Sequence, residues 1–416
     1  MVVAGGGAAG IAAAAAAAAA GASVLLVERT PALGGAATQR NVAGYCGLFT
    51  CRPDPVQAVG GIASQVLRRL RERAGVSNRE ITTEHDLAVV YVDPEAVKVT
   101  LDEIVREAGV DVLLGAMVSA AHRDRDELAT VTILDFGGRM SDVTAGAYVD
   151  ATGDANLAAL SGAAVTGGNG GRTQTATLGV RYGGISPDAD VSPATVQAAV
   201  EAARRDCPTL RLTSSVGYLF RLPTSGDLVT YLADEDVDAL DPIAYATATV
   251  DARAQAWSYL EVIRSLPGAD GAFIASTGPE LGIRESRHLV TVQPLKDDWL
   301  TGGIVPADSV ALAAWPAEHH GGRGLASDWT RIGGEGAYGV VLDQLRSADT
   351  RNLFGAGRVM GGGMRAGASV RVMGTCFATG QAAGVAAARW AAAGERGLLD
   401  AARTELGRQE AILALP

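Results

Sequence analysis

The chain has 416 residues, of which 48% are apolar and 19% charged, and its formal net charge is −11. This length exceeds what one simple core accommodates and predicts two closely associated domains. The negative charge argues against nucleic-acid binding, which requires a basic surface. Residues 68–73 form the most basic stretch, and we interpret them as the solvent-facing side of a helix.

Residues 1–27 carry no charged side chain. A signal peptide would begin with a positive segment, which is missing. A membrane helix would carry Leu, Ile and Phe where this stretch has glycines at positions 5, 6, 7, 10 and 21. We therefore expect a cytoplasmic protein with no membrane partner. The 4 cysteines form no Cys-x-x-Cys pair, so the sequence predicts no metal site.

The first elements in chain order form a βαβ unit. Residues 2–4 predict a short buried strand, residues 11–20 an alanine-rich helix and residues 23–27 a second buried strand. The next segments are expected to be helices at 57–74 and 94–108, a buried strand at 111–114, an antiparallel meander at 117–122, 130–136 and 140–145, and a strand at 148–150.

Residues 166–345 are richer in polar and turn residues, and we interpret them as an inserted α+β substrate domain. The expected elements there are strands at 175–182, 217–222 and 289–294 and helices at 193–205 and 242–264. Residues 1–165 and 346–416 would then form one discontinuous domain, which closes with a helix of small residues near 376–393.

The turn after the first strand matches the pattern G-x-G-x-x-G. Gly5 permits the tight turn, Gly7 lets the backbone approach a pyrophosphate, and Gly10 lets the helix pack against the sheet. The helix N-terminus would face the anion with free N–H groups. The strand before the motif and the helix after it supply the context that the motif requires.

Two features after the second strand refine the type of nucleotide. Glu28 can accept hydrogen bonds from a ribose diol and would repel a 2′-phosphate, which disfavours NADP. Gly34 and Gly35 let the chain fold back over the pyrophosphate, which a simple NAD domain does not need. The alternatives are a surface glutamate and an ordinary turn.

Several motifs together resemble the FAD-dependent oxidoreductase family, which has the glutathione-reductase-type FAD fold and is distantly related to fumarate reductase flavoproteins. The segments that carry the resemblance are residues 2–38, 150–155, 282–287 and 352–384. It implies an α/β fold, in which a Rossmann-like FAD-binding domain combines a parallel sheet with a three-stranded meander.

The resemblance also implies which residues contact FAD. They are Gly5, Gly7, Ala8, Ala9, Gly10, Glu28, Arg29, Gly34, Gly35, Ala37, Thr38, Val118, Thr152, Gly153, Asp154, Gly357, Arg358, Arg371, Val372, Met373 and Cys376. Fumarate-reductase-like enzymes often attach FAD through a histidine after the glycine pair, where this chain has Ala36 and Ala37. We therefore expect non-covalent FAD. The loop at 361–367 lacks a clean match to their substrate residues, which argues against fumarate reduction.

Four residues are candidates for catalysis. Arg365 and Arg371 could clamp a substrate carboxylate, or they could pair with phosphate or structural groups. His320 could act as a general base, or lie at the surface. Tyr45 could pack against the flavin or donate a proton. A redox-active pair of Cys46 and Cys51 is a further hypothesis, because some flavin disulfide reductases use this spacing.

The residues around the flavin suggest what it does. A helix beginning near Gly374 would point its N-terminus at the flavin and stabilise negative charge on the reduced ring. We predict an FAD-dependent dehydrogenase or oxidase that moves a hydride between a small organic substrate and flavin N5. The alternatives are a flavin-dependent monooxygenase and a flavoprotein whose FAD is structural. A homo-oligomer is compatible with the sequence.

Overall fold

The computed structural model describes residues 1–73, 80–82, 86–171 and 173–416. The strands are β1 (Val2–Ala4), β2 (Leu25–Glu28), β3 (Gly44–Tyr45), β4 (Glu80–Thr82), β5 (Leu87–Tyr91), β6 (Asp111–Leu114), β7 (Ala116–Asp124), β8 (Glu127–Asp135), β9 (Met140–Thr144), β10 (Tyr148–Asp150), β11 (Val165–Gly167), β12 (Ala176–Gly183), β13 (Leu219–Arg221), β14 (Leu228–Glu235), β15 (Phe273–Thr277), β16 (Arg287–Leu289), β17 (Ser309–Ala313), β18 (Ala317–His319), β19 (Asp328–Thr330), β20 (Tyr338–Val341) and β21 (Leu353–Gly355).

The helices are α1 (Ala8–Ala19), α2 (Ala36–Gln39), α3 (Ile62–Glu72), α4 (Pro94–Glu107), α5 (Asn156–Leu160), α6 (Pro193–Asp206), α7 (Pro242–Arg264), α8 (Asp297–Gly302), α9 (Met364–Val370), α10 (Met373–Ala393) and α11 (Leu398–Arg408). Two short 3-10 turns lie at Leu342–Gln344 and Gly357–Val359. In the described part of the chain, every helix is too short or too polar to span a bilayer.

A five-stranded parallel sheet in the order β21-β10-β1-β2-β6 forms the centre of the first domain. β1, α1 and β2 make the predicted βαβ unit. The antiparallel sheet β7-β8-β9 is the predicted meander. The expected α/β class with a parallel sheet and a three-stranded meander is therefore confirmed.

The long helix α10 packs directly on α1 because both helices carry small residues at the contact. A Cβ added to Gly380 would overlap the backbone carbonyl of Ala9, and one added to Gly384 would overlap that of Ala13. Their side chains therefore have to be hydrogen atoms at this distance. The alanine-rich composition of residues 11–20 thus serves close helix packing rather than a membrane.

Three expectations about single elements differ from the structure. The strand β6 is an edge strand with Leu113 and Leu114 40% and 44% exposed, although an apolar run suggested burial. The strand expected at 289–294 ends at Leu289, and the residues after it form only isolated bridges. The helix expected at 57–74 begins at Ile62, because Gly61 adopts a positive φ of 56°. Its expected last residue, Ala74, lies outside the described residues.

A second core lies within residues 176–283. It consists of the antiparallel sheet β13-β14-β12-β15 covered by α6 and α7. Side chains between 295 and 345, such as Leu300, Val310 and Tyr338, pack instead with the first core. The inserted domain at 166–345 remains a prediction. The residues that pack in the second core span only 176–283.

Candidate active site

A cavity of about 580 Å³ runs between the two cores. One end, the nucleotide end, lies beyond β1 and β2 and is lined by Gly5, Gly7 and Glu28. The other end, the inner end, is walled by residues of β12, β14 and the β18–β19 hairpin. Carboxyl ends of parallel strands are where open α/β sheets bind ligands.

Two glycine turns meet at the nucleotide end. The N–H of Gly34 donates to the carbonyl of Gly6 at 2.8 Å, which holds the second glycine pair against the first. Gly35 has a φ of 53°, and a Cβ there would lie only 2.9 Å from the Cα of Gly7. Gly7 caps α1 without a side-chain hydrogen bond. The first N–H groups of α1 are therefore available to an anion.

Glu28 organises the turn as well as facing the cavity. Its carboxylate accepts from the N–H of Gly6 at 2.6 Å and from the N–H and hydroxyl of Thr30 at 2.8 Å each. A carboxylate has about four acceptor positions, so capacity remains for one more donor. The predicted contact with a ribose diol is compatible with this geometry.

Arg358 supplies positive charge beside the α1 N-terminus. Its Nη1 donates to Asp154 at 2.7 Å, whereas its buried Nη2 has no partner among the described residues. Burial alone would raise the pKa of Asp154, but Arg358 and Arg40 hold it below its usual range. A buried guanidinium N–H that faces a cavity needs an acceptor. A pyrophosphate would satisfy it together with the N–H groups of α1.

The predicted cofactor residues divide into two groups. Those that line the cavity are Gly5, Gly7, Ala8, Ala9, Glu28, Arg29, Gly35, Thr152, Gly153, Gly357, Arg358, Arg371, Val372, Met373 and Cys376. Those that do not line it are Gly10, Gly34, Ala37, Thr38, Val118 and Asp154.

The second group supports the cradle from behind. Gly10 packs against the carbonyl of Gly5, and the Thr38 hydroxyl donates to the carbonyl of Leu33 at 2.8 Å. Val118 is different, because its side chain belongs to the core beneath the meander and does not approach the cavity. The contact of Val118 with FAD therefore stays a prediction, and only its backbone could make it.

The N-terminus of α10 reaches the cavity through Val372 and Met373. Val372 caps α10 without a side-chain hydrogen bond. The N–H of Gly374, however, already donates to the carbonyl of Cys46 at 2.8 Å. The helix dipole expected near the flavin is therefore present, but Gly374 itself uses its N–H to fix the segment before α3.

Two predicted catalytic residues lie away from the cavity. Tyr45 is fully buried and packs edge-on against Phe377, with ring centroids 5.6 Å apart. Its neighbours Gly44 and Cys46 line the cavity instead, because successive side chains of an extended segment point in opposite directions. Arg365 is exposed on α9 and lies outside the lining.

The inner end contains a hydrogen-bonded chain of Glu318, His320 and Ser327. His320 Nε2 lies 3.2 Å from a Glu318 oxygen, and the Ser327 hydroxyl lies 3.1 Å from His320 Nδ1. All three residues line the cavity. The predicted surface alternative for His320 is thereby excluded, whereas Glu318 and Ser327 were missed by the sequence analysis.

Burial and charge set the ionisation of this chain. Burial, Arg284 and Arg371 lower the pKa of His320 to about 4 despite the opposing effect of Glu318. Burial alone would raise the pKa of Glu318, yet His320 and the two arginines bring it to about 2. At neutral pH the pair is therefore a neutral imidazole beside a carboxylate.

Arg284 and Arg371 approach the same end from opposite sides. Arg284 donates to the carbonyl of Thr175 at 2.6 Å and to the hydroxyl of Thr177 at 2.7 Å. Arg371 donates to the carbonyl of Glu318 at 2.8 Å. Arg284 lines the cavity as well, although it lies in a segment to which the sequence analysis gave no role of its own.

The residues that follow Arg284 in the chain make structural contacts away from the cavity. His288 Nε2 lies 3.4 Å from Glu285 in a buried pair, and Arg287 donates to Asn156 at 2.7 Å.

Burial raises the pKa of Cys46 and Cys51 well above the thiol's usual range, so both are protonated at neutral pH. Among the described residues, no group of three or more His, Cys, Asp or Glu side chains is arranged to hold a metal ion.

The parallel sheet, its paired glycine turns and the cationic cavity beyond them define an α/β protein that binds a nucleotide cofactor. The chain belongs to the FAD dependent oxidoreductase family, whose model matches residues 1–398. The protein is therefore an FAD-dependent oxidoreductase, and FAD is the cofactor for which the nucleotide end is built. No curated protein matches the chain in sequence.

Several solved structures are similar to the chain at low sequence identity. BexE, which acts in an oxidation during BE-7585A biosynthesis, has a TM-score of 0.50 and 16% identity over 98% of this chain and 65% of its own. A geranylgeranyl bacteriochlorophyll reductase-like protein from Thermoplasma acidophilum has a TM-score of 0.48 and 12% identity, covering 98% and 83%. OxyS anhydrotetracycline hydroxylase from Streptomyces rimosus has a TM-score of 0.48 and 14% identity, covering 97% and 64%. The chain thus spans about two thirds of the length of BexE and OxyS.

Proposed function

We propose that the protein is an FAD-dependent dehydrogenase or oxidase that removes a hydride and a proton from a small organic substrate at the inner end. The observation that carries this proposal is the chain of Glu318, His320 and Ser327 in the same cavity as the FAD cradle. Oxidation of an alcohol or amine requires a proton acceptor as well as a hydride acceptor. The hydrogen-bonded chain of Glu318, His320 and Ser327 offers the proton acceptor.

The hydrogen bonds assign the proton on His320. A carboxylate only accepts hydrogen bonds, so Nε2 carries the hydrogen that faces Glu318. Nδ1 is then the nitrogen with a free electron pair, and the Ser327 hydroxyl donates to it. A substrate proton can reach Nδ1 through Ser327, whose hydroxyl passes its own proton to Nδ1 as it accepts that of the substrate. The Glu318 carboxylate stabilises the imidazolium that forms.

The remaining residues hold the reacting groups in place. FAD, when bound, supplies the acceptor for the two electrons. The α1 N-terminus and Arg358 would bind its pyrophosphate, and Arg371 and Arg284 would orient the substrate. Ala36 lines the cavity after the glycine pair and offers no side chain that could form a bond to flavin. This supports the proposal of non-covalent FAD.

The substrate in this proposal is not fumarate. A distant kinship with fumarate reductase flavoproteins rests on the motifs at 2–38, 150–155, 282–287 and 352–384, and the loop at 361–367 departs from their substrate residues. The inner end instead places an imidazole and a hydroxyl beside two arginines. That set suits the oxidation of a hydroxyl or amino group.

Anaerobic titration of the FAD-loaded protein with a panel of alcohols, amines and hydroxy acids tests the proposal. We expect at least one compound to bleach the flavin absorbance stoichiometrically. If no compound bleaches the flavin although dithionite does, the FAD is structural. If bleaching occurs only with NADH or NADPH, and oxygen is then inserted into a panel compound, the protein is a monooxygenase.

A further inference from the structure

Aromatic residues are concentrated at the inner end. The chain contains only 5% aromatic residues. Nevertheless, five rings line this part of the cavity and belong to one packed cluster: Tyr218, Phe220, Tyr231, Trp315 and Trp329. Ring centroids are 5.8 Å apart for Tyr218 and Phe220 and 6.3 Å apart for Trp315 and Trp329. We call these five residues the aromatic wall.

The aromatic wall is fixed from behind. Tyr91 stacks on Phe220 with centroids 4.0 Å apart and an interplanar angle of 12°. The hydroxyls of Tyr91 and Tyr218 lie 2.9 Å apart. The Tyr231 hydroxyl donates to the carbonyl of Asn41 at 3.0 Å. Rings held in this way lose little freedom when a ligand binds, which favours a flat partner that stacks on them.

Two buried donors at the same end lack acceptors. Trp315 is 3% exposed, and its Nε1 has no hydrogen-bond partner in the described part of the chain. The same holds for Nε of Arg371. Both groups can only donate, and both residues line the cavity. Since an unpaired buried donor is costly, a ligand with acceptor oxygens that reached these two groups would bind favourably.

The donors at this end favour an anion, whereas the carboxylates of Glu318 and Asp234 offset the charges of Arg371 and Arg284. The acidic groups nearby are already engaged, because Glu318 pairs with His320 and Asp234 accepts from Thr177 at 2.6 Å. Arg371 donates to the backbone carbonyl of Glu318 at 2.8 Å and to the amide oxygen of Gln174 at 3.4 Å, and no carboxylate among the described residues accepts from it. A carboxylate on the ligand would meet this guanidinium with charge-assisted hydrogen bonds.

We propose that the inner end binds a planar aromatic carboxylate, with its ring on the aromatic wall and its carboxylate oxygens accepting from Arg371 and Trp315. This inference deepens the proposed function and rests on the inner end being the substrate site. It names the substrate class as an aromatic acid that carries an oxidisable hydroxyl or amino group.

The test measures binding without turnover. FAD-loaded protein is titrated with benzoate, cyclohexanecarboxylate and benzylamine, and the shift of the flavin absorbance bands reports occupancy. Benzoate combines the ring with the charge, while the other two each lack one feature. We expect benzoate to bind at least about tenfold more tightly than either, a factor worth about 1.4 kcal/mol. Benzoate binding no tighter than cyclohexanecarboxylate or benzylamine overturns the proposal.

Two variants locate the carboxylate. Trp315→Phe keeps an aromatic ring and removes only the N–H, and Arg371→Gln removes the charge. Each is expected to weaken benzoate binding about tenfold. Trp257→Phe and Arg365→Gln are matched controls, because Trp257 is 62% exposed and neither residue lines the cavity. Their benzoate affinity should equal that of the wild type.

The outcomes separate this inference from the proposed function. If Trp315→Phe binds benzoate like the wild type, the carboxylate placement is overturned, even where Arg371→Gln fails to fold. If either variant loses FAD affinity but keeps benzoate affinity, the donor serves the cofactor, and the proposal is overturned as well. Neither result depends on flavin reduction, which tests the proposed function alone.

Discussion

His320 is a partly buried histidine that stays neutral at pH values well below its ordinary pKa. In the unfolded chain it takes up a proton near pH 6.5, whereas in the folded protein it does so at about pH 4 because of burial and the nearby Arg284. Between these values the unfolded state binds more protons, so the free energy of unfolding decreases as the pH falls. Glu318, with a pKa of about 2 against an ordinary 4.5, extends the decrease to lower pH.

We therefore predict that the wild type loses roughly 2 kcal/mol through His320 between pH 6.5 and pH 4. The variant His320→Gln should lack this part of the loss. Guanidinium unfolding of the FAD-loaded protein at several pH values measures it. His319→Gln is the control and should follow the wild type, since His319 does not line the cavity. An unchanged pH dependence in His320→Gln would refute the assignment.

Arg358 is the residue that we expect to bind the FAD pyrophosphate. Arg358→Gln removes the unpaired Nη2 and the charge, and it should weaken FAD binding about 10- to 100-fold, as for a hydrogen bond to a charged group. Flavin fluorescence on dilution measures the dissociation constant. Arg365→Gln should bind FAD like the wild type, because Arg365 is exposed and outside the lining. Equal affinities in both variants would remove Arg358 from the cradle.

The helices α1 and α10 approach each other so closely that glycine is required at the contact. We predict that Gly384→Ala lowers the free energy of unfolding by about 1–3 kcal/mol, because the added Cβ would overlap the carbonyl of Ala13. Gly407→Ala is the matched control. Gly407 lies within α11 with open space around it, so that substitution should stabilise the protein by about 0.5–1 kcal/mol. Chemical denaturation measures the free energy of unfolding of both variants. Equal effects of the two substitutions would contradict the close approach of α1 and α10.

The elements that local sequence determines were predicted well. Glycines at 5, 7 and 10 between two apolar strands, with Glu28 and a second glycine pair, were sufficient for the βαβ unit and the cofactor type. The meander followed from alternation and from the Gly137-Gly138 turn. Edge strands were harder to predict, because β6 has an apolar composition although no other strand of the described residues pairs beyond it in the sheet.

The inner end was predicted only in part, because its residues come together from distant segments. His320 and Arg371 were predicted as candidate catalytic residues. Ser327 and Glu318 were not, because only the folded β18–β19 hairpin brings them within hydrogen-bonding distance of His320. Tyr45 shows the opposite error. It lies one residue from the cavity, and only the direction of the strand decides that Cys46 faces it instead.

At the scale of the whole molecule, one ionic cluster links the two cores across the nucleotide end. Glu280, just after β15 of the second core, pairs with Arg29 after β2 and with Arg40 after α2. Arg29 and Arg40 belong to the first domain, and both line the cavity with Glu280. The cluster therefore closes the second core over the site that FAD enters.

We predict that Glu280→Gln accelerates FAD release about threefold to tenfold, since partly buried ion pairs contribute on the order of 1 kcal/mol. Stopped-flow fluorescence of FAD released into an apoflavoprotein trap measures the rate. Glu335→Gln removes an exposed ion pair with Arg52 that is away from the cavity, and its release rate should be that of the wild type. Identical rates in both variants would show that the cluster does not control the cofactor.

The most direct test of the whole account is the rate of flavin bleaching on anaerobic mixing with the substrate that the panel identifies. We predict that His320→Gln keeps its FAD and lowers this rate about 10²- to 10⁴-fold, because the substitution removes the proton acceptor. His319→Gln should bleach at the wild-type rate. If His320→Gln with full FAD content bleaches as fast as the wild type, oxidation does not use the Glu318, His320 and Ser327 chain, and the central claim is contradicted.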